Sequence, residues 1–160
     1  AQKAVEADTC PGDALPEIHP VMDTIRATFS DVNRSNVGFG STIFAVKPGD
    51  GSAREQAASC QRVLGGLANI ANEYATKRYR SNLINWGLIP FIIDEGELPF
   101  RNGDFIFIPG AAAAIRDKAS EVKAYVVKDK LVEFTLKIGE LTDDERQIIL
   151  DGCLINYYRH

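Results

Sequence analysis

The sequence predicts a mixed α/β domain, and three features carry that prediction. Short apolar runs alternate with segments of helical period through the first part of the chain. A strand pair with strict in-out alternation comes late. The length of 160 residues, with 45% hydrophobic and 25% charged side chains, suits one ordinary globular domain with one packed core.

Taken in order, residues 1–18 carry Cys10-Pro11-Gly12-Asp13 and Pro16 without periodicity and read as an N-terminal arm or linker; the domain proper is expected over 19–160. His19-Pro20 opens a helix with Met22, Ile25 and Phe29 on one face. Thr42 to Val46 reads as a short buried strand after the turn Asn36 to Gly40. Ala53, Ala57, Cys60 and Leu64 form the apolar stripe of a helix packed on a sheet, which Gly65-Gly66 stops. Leu67 to Ala71 is a strand weakened by Asn69, for which no local reason is evident. Tyr74 to Trp86 is an irregular helix ended by Gly87, followed by strands over Leu88 to Ile93 and Phe105 to Ile108. Ala111 to Ile115 is a short alanine-rich helix. Val122, Ala124 and Val126 share one strand face and Val132, Phe134, Leu136 and Ile138 another, joined by Lys128-Asp129-Lys130 into the clearest hairpin of the chain. Thr142-Asp143-Asp144-Glu145 is a capping box that starts a last helix, closed by Gly152.

Composition narrows the function classes. A net charge of -4 argues against a general nucleic-acid or membrane-surface binder. Cys10, Cys60 and Cys153 are odd in number and far apart, which fits neither a disulfide framework nor a Cys-x-x-Cys pair and points to a reducing, cytoplasmic setting. No apolar run approaches the roughly 20 residues of a membrane span, and no signal-peptide pattern opens the chain. The start at Ala1 suggests an excised piece or a trimmed end.

The stretch that carries chemistry is Gly49-Asp50-Gly51-Ser52-Ala53-Arg54-Glu55-Gln56. Its plainest reading is structural: Ser52-x-x-Glu55 spells a capping box, with the serine hydroxyl accepting a backbone N–H and the glutamate reaching back. Its functional reading is an anion site. Gly49 and Gly51 leave a helix N-terminus uncovered, and Arg54 adds a guanidinium able to clamp a carboxylate. A solvated helix arginine is the alternative for Arg54.

Three segments together weigh toward function. Gly51-Ser52-Ala53-Arg54-Glu55-Gln56 with Leu64-Gly65-Gly66 resembles the G-S-S-R-E-H or G-S-S-R-E-Q motif and downstream L-G-G of the aconitase family. Asn82-Leu83-Ile84-Asn85-Trp86-Gly87-Leu88-Ile89-Pro90 resembles that family's N-x-x-N-x-G-L-x-P segment. Ile149 to Tyr157 is similar to the closing helix and turn of the family's swivelling domain and of the isopropylmalate isomerase small subunit. The resemblance implies an aconitase-like swivelling β/β/α fold, a mixed-sheet barrel flanked by helices. It implies a hydro-lyase that dehydrates and rehydrates a hydroxy di- or tricarboxylic acid. Carried over by position, Ser52 is the base and Arg54 the carboxylate ligand, with Gly51 and Ala53 beside the substrate. It further implies a [4Fe-4S] cluster held by another domain or by a large partner subunit, so that this chain binds no cluster and is inactive alone.

The sequence also departs from the family pattern. Ala53 stands where the family has a second, substrate-contacting serine, which puts citrate or isocitrate in doubt as substrate and leaves open a catalytically weakened module that binds a carboxylate metabolite or RNA. Tyr74-Ala75-Thr76-Lys77 replaces S-F-A-R, Asn69 and Asn72 enter an apolar strand, and the opening D-x-x-T-D motif is absent. Arg34 is a candidate second carboxylate contact, though an ordinary turn arginine is the simpler reading. Lys77, Arg78 and Arg80 with Tyr74 and Tyr79 form a basic, aromatic cluster whose expected fate is a solvated helix face rather than an RNA site. His19 and His160 lack partners at ligand spacing, and Asp94, Glu95 and Glu97 read as a solvated loop.

Overall fold

The structure, a computed structural model, describes residues 16–33 and 35–159. Most of the expected arm, together with Cys10, Arg34 and His160, lies outside the described residues. The elements in chain order are α1 (Ile18–Thr28), β1 (Ser41–Ala45), α2 (Arg54–Val63), β2 (Gly66–Ala71), α3 (Lys77–Asn85), β3 (Ile89–Ile92), β4 (Phe105–Phe107), α4 (Ala111–Arg116), β5 (Glu121–Val127), β6 (Leu131–Ile138), α5 (Asp143–Leu150) and α6 (Leu154–Tyr157).

The strand order is β1-β2-β3-β6-β5-β4. β1 with β2 and β2 with β3 pair parallel, with α2 and α3 as the connections that parallel neighbours require. β3 with β6 and β4 with β5 pair antiparallel, so the sheet is mixed and flanked by helices, the expected fold class. Contacts group the chain into two compact units.

The first unit takes in the described residues up to Gly40 with Glu97–Pro109 and Lys123–Phe134. Here α1 buries Ile18, Met22 and Ile25 against Phe107 and Val127, the face its spacing predicted. Phe29 packs edge-on to Phe107 and Tyr125, with ring centroids 5.3 and 5.4 Å apart.

The second unit, Ser41–Gly96 with Gly110–Val122 and the described residues from Thr135 onward, holds the candidate site. Ala58, Tyr79, Leu83 and Leu88 form a core cluster between α2 and α3. Gly87 lies against the Gly152 carbonyl so closely that no side chain fits between them, and this joins the Asn82–Pro90 segment to the closing turn. The capping box at Thr142 forms as read: Glu145 N–H donates to Thr142 Oγ1 at 3.2 Å and Thr142 N–H to Glu145 Oε2 at 2.9 Å.

Four expectations are corrected. β1 is not buried: it ends the strand order, and Ile43 is 45% exposed. The stripe Ala53, Ala57, Cys60 and Leu64 on α2 faces outward, while Ala58, Gln61, Arg62 and Gly65 face inward. Small alanines discriminate weakly between the two faces. The inward polar side chains are partly satisfied: Gln61 Nε2 donates to Tyr79 Oη at 2.9 Å and Arg62 Nη1 to the Gly66 carbonyl at 3.3 Å, while Gln61 Oε1 has no partner among the described residues. The irregular helix begins only at Lys77, because Thr76 caps it by accepting Tyr79 N–H at 3.2 Å. Of the two asparagines expected in this strand, Asn69 lies in β2 and Asn72 falls just past its end, and each has partners. Asn69, 2% exposed, donates to Tyr79 Oη at 3.1 Å, and Asn72 Nδ2 donates to the carbonyls of Ile93 and Asp94 at 3.0 and 3.3 Å.

Candidate active site

The turn between β1 and α2 is held from below. Glu73 N–H donates to the Val46 carbonyl at 3.0 Å and Ala75 N–H to the Pro48 carbonyl at 2.9 Å, pinning the start of the turn to the loop ahead of α3. Gly49 follows with φ +103, and a Cβ there would meet Tyr79 Cβ at 2.5 Å, so only glycine lets the backbone cross the buried ring. Its carbonyl accepts two hydrogen bonds, from Arg54 Nε at 2.8 Å and from Thr76 Oγ1 at 3.0 Å. Gly51 has open space above it.

Sequence reading placed the helix start one residue too early. α2 begins at Arg54, and its N-cap is Ala53 in a bent conformation (φ -88, ψ 42) with no side-chain cap. The Ser52–Glu55 capping box therefore does not form. Arg54 takes over the closure: Nε bonds the Gly49 carbonyl, and Nη2 lies 3.4 Å from the Asp50 carbonyl. Ser52 is exposed, and among the described residues its hydroxyl has no hydrogen-bond partner.

Gly51, Ser52 and Ala53 lie together at the exposed tip, with Arg54 half-buried behind them. The first backbone bond of the helix runs from Ala57 N–H to the Ala53 carbonyl at 2.9 Å. The N–H groups of Arg54, Glu55 and Gln56 thus remain as donors at the positive end of the helix dipole. Arg54 keeps the N–H groups of Nη1 and the second hydrogen of Nη2 for an acceptor. Chemically, this is a place where a carboxylate can sit beside a free serine hydroxyl.

Sequence reading missed the layer beneath. Thr76, Tyr79, Gln61 and Asn69 support the turn, and the sequence reading marks none of them as doing so, with Thr76 placed inside the expected helix Tyr74 to Trp86. Tyr74 Oη donates to the Phe91 carbonyl at 2.9 Å and lies 3.3 Å from the Asn69 carbonyl. Burial, then neighbouring Tyr79, pushes its phenol well above the ordinary range, with Arg80 opposing. Tyr79 is buried and Tyr74 half-buried with its hydroxyl bonded to main chain, so the basic, aromatic cluster does not present two open rings for stacking. Lys77 and Arg78 are solvated as expected, but Arg80 is not: it bonds the Glu140 carbonyl and lies 3.7 Å from Glu145. Asp94 pairs with Lys137 at 2.6 Å on the surface.

Cys60 is exposed rather than on a buried stripe, and Cys153 is half-buried. Among the described residues no three His, Cys, Asp or Glu side chains converge as metal ligands, and no helix is long and apolar enough to cross a membrane.

Residues 29–96, which contain the turn, match the aconitase C-terminal domain family. They belong to that family. The chain is also 35% identical over 111 residues to the methanogen homoaconitase small subunit of Methanocaldococcus jannaschii. That similarity covers 69% of this chain and 56% of the relative, so the chain spans about half the length of the curated relative it matches. The matched aconitase segment holds two of the three motifs, Gly51–Gln56 and Asn82–Pro90; the closing motif lies beyond it.

Proposed function

We propose that the chain, with residues 19–160 as its domain, is the swivel domain or small subunit of an aconitase-like hydro-lyase. Such an enzyme dehydrates and rehydrates a hydroxy di- or tricarboxylic acid. Ser52 is the base, Arg54 binds a substrate carboxylate, and the backbone at Gly51 and Ala53 lines the same edge. The observation that carries this reading is that Ser52 stands in a capping sequence but does not cap, so its hydroxyl is left exposed beside a helix N-terminus and a guanidinium.

A serine hydroxyl ionises far above neutral pH in water. Unpaired N–H donors at the start of α2 and the Arg54 charge lower the cost of an alkoxide there, and both also attract the carboxylate next to the proton to be removed. Arg54 is held by main-chain carbonyls, so it meets the substrate already oriented. The described residues do not fit an iron–sulfur cluster, which needs several convergent thiolates. We assign the [4Fe-4S] cluster implied by the family to a large partner domain or subunit, and the chain alone to an inactive half of the site in a cytoplasmic, reducing setting.

The test is to assemble the complete protein with its cluster-bearing partner under anaerobic conditions and assay a panel of hydroxy di- and tricarboxylates. Turnover that vanishes in Ser52→Ala supports the reading; undiminished turnover overturns it. Ala53 favours one second reading, a weakened module that binds a carboxylate metabolite. Binding by wild-type protein without turnover of any acid in the panel would identify it.

A further inference from the structure

We infer that Thr76 is the positioning residue for Arg54, and through it for the substrate carboxylate; this rests on the proposed role of Arg54. The Thr76 hydroxyl has one hydrogen and gives it to the Gly49 carbonyl at 3.0 Å, while accepting Tyr79 N–H at 3.2 Å. The same Gly49 carbonyl accepts Arg54 Nε at 2.8 Å. One carbonyl oxygen is therefore the shared anchor of a hydroxyl from the start of α3 and a guanidinium from the start of α2, and both of its lone-pair directions are used.

Gly49 itself is confined by Tyr79, whose ring leaves no room for a Cβ. Tyr79 is confined in turn by Gln61 and Asn69, which donate to its hydroxyl. Without the Thr76 hydroxyl the Gly49 carbonyl keeps only the Arg54 Nε bond, and the direction of the oxygen that orients the guanidinium is fixed from one side instead of two. Thr76 touches no substrate atom; its whole effect passes through the direction in which Arg54 points.

The test uses the complete enzyme with its partner and compares wild type, Thr76→Val, Thr76→Ser, Arg54→Ala and the Arg54→Ala/Thr76→Val pair. Arg54→Ala should raise KM about 10- to 100-fold, the loss of a charged hydrogen bond. Thr76→Val should raise KM about three- to tenfold with kcat unchanged, and Thr76→Ser should restore it. In the Arg54→Ala background, Thr76→Val should add nothing to KM. A purely structural threonine would act equally in both backgrounds, and that result overturns the inference. So does a Thr76→Val enzyme with wild-type KM when Arg54→Ala is impaired. An Arg54→Ala enzyme with unchanged KM overturns the role of Arg54 and the inference with it. Should Thr76→Val not fold, the wild-type Arg54 Nε–H decides: slow solvent exchange by NMR is expected, and exchange as fast as a free guanidinium overturns the inference.

Discussion

Ser52-Ala53-Arg54-Glu55 and Thr142-Asp143-Asp144-Glu145 spell the same helix-start signal, but only the second folds as the signal says. Thr142 is extended (φ -70, ψ 163), which aims its hydroxyl at the third N–H of α5, and the glutamate closes the box. At the other site the chain reaches Ser52 with its path already set. Gly49 is wedged over Tyr79 and its carbonyl is held twice, so the chain bends at Ala53 and α2 starts a residue later. A cap signal is thus obeyed where the preceding backbone is free to extend, and overruled where tertiary contacts fix the turn. Being overruled leaves a hydroxyl exposed, and in this chain that hydroxyl is the proposed base.

The largest expected effect separates the two hydroxyls by function. Ser52→Ala should lower kcat of the assembled enzyme about 10²- to 10⁴-fold, the usual scale for a lost general base, while shifting stability by less than about 0.5 kcal/mol. Thr142→Ala should do the reverse, leaving kcat unchanged and costing about 1 kcal/mol in denaturant unfolding. Loss of stability in Ser52→Ala would mean that the box forms after all. Next in size come the two glycines of the site turn. Gly49→Ala should cost about 2–4 kcal/mol, because its methyl meets Tyr79 and its φ of +103 is strained for alanine. Gly51→Ala, with open space above it, should change stability by under about 0.5 kcal/mol. Equal costs for the two would contradict the wedge that displaces the helix start.

Alkaline pH should weaken the β2–β3 pairing beside the site, where Tyr74 bonds the Asn69 and Phe91 carbonyls, and should spare the Thr142 box. Tyr74 has a folded-state pKa raised above its unfolded value of 10.0, first by burial and then by Tyr79. Such a group stabilises the fold fully below the unfolded value, and its contribution is lost as pH rises through the folded one. Denaturant unfolding should show the wild type losing more stability than Tyr74→Phe as pH rises past the unfolded value of 10.0. Equal losses in the two proteins would sink the assignment.

The pattern of success in reading the sequence follows the range of the forces involved. α1, the hairpin and the Thr142 box were legible because the residues that decide them lie within a turn or two of one another. The grouping of Gly51, Ser52, Ala53 and Arg54 was legible for the same reason. Burial of β1 was misread because an apolar run does not say whether its strand ends the sheet. The inward face of α2 was misread because the partner that draws Gln61 inward is a hydroxyl 18 residues away, on Tyr79. Asn69 and Thr76 belong to that same tertiary layer, and no window along the chain contains both them and the turn they support.

The smallest expected effect bears most directly on why the two starts differ. Ala53→Ser would place a hydroxyl at the actual N-cap, with Gln56 at the third helical position, so that Ser-x-x-Gln spells a capping box in the correct register. At an extended cap such a change is worth about 1 kcal/mol. Ala53 has ψ 42 rather than the 163 of Thr142, and its serine would point away from the N–H groups it should accept. The expected gain is therefore below about 0.5 kcal/mol by denaturant unfolding. Reaching the full gain requires the chain at residue 53 to rotate into an extended conformation, which pulls Arg54 off the Gly49 carbonyl. A full gain would show that the turn is held more weakly than Arg54, Thr76 and Tyr79 imply. A small gain would mean that the same three residues that keep Ser52 from capping also keep it where a substrate can reach it.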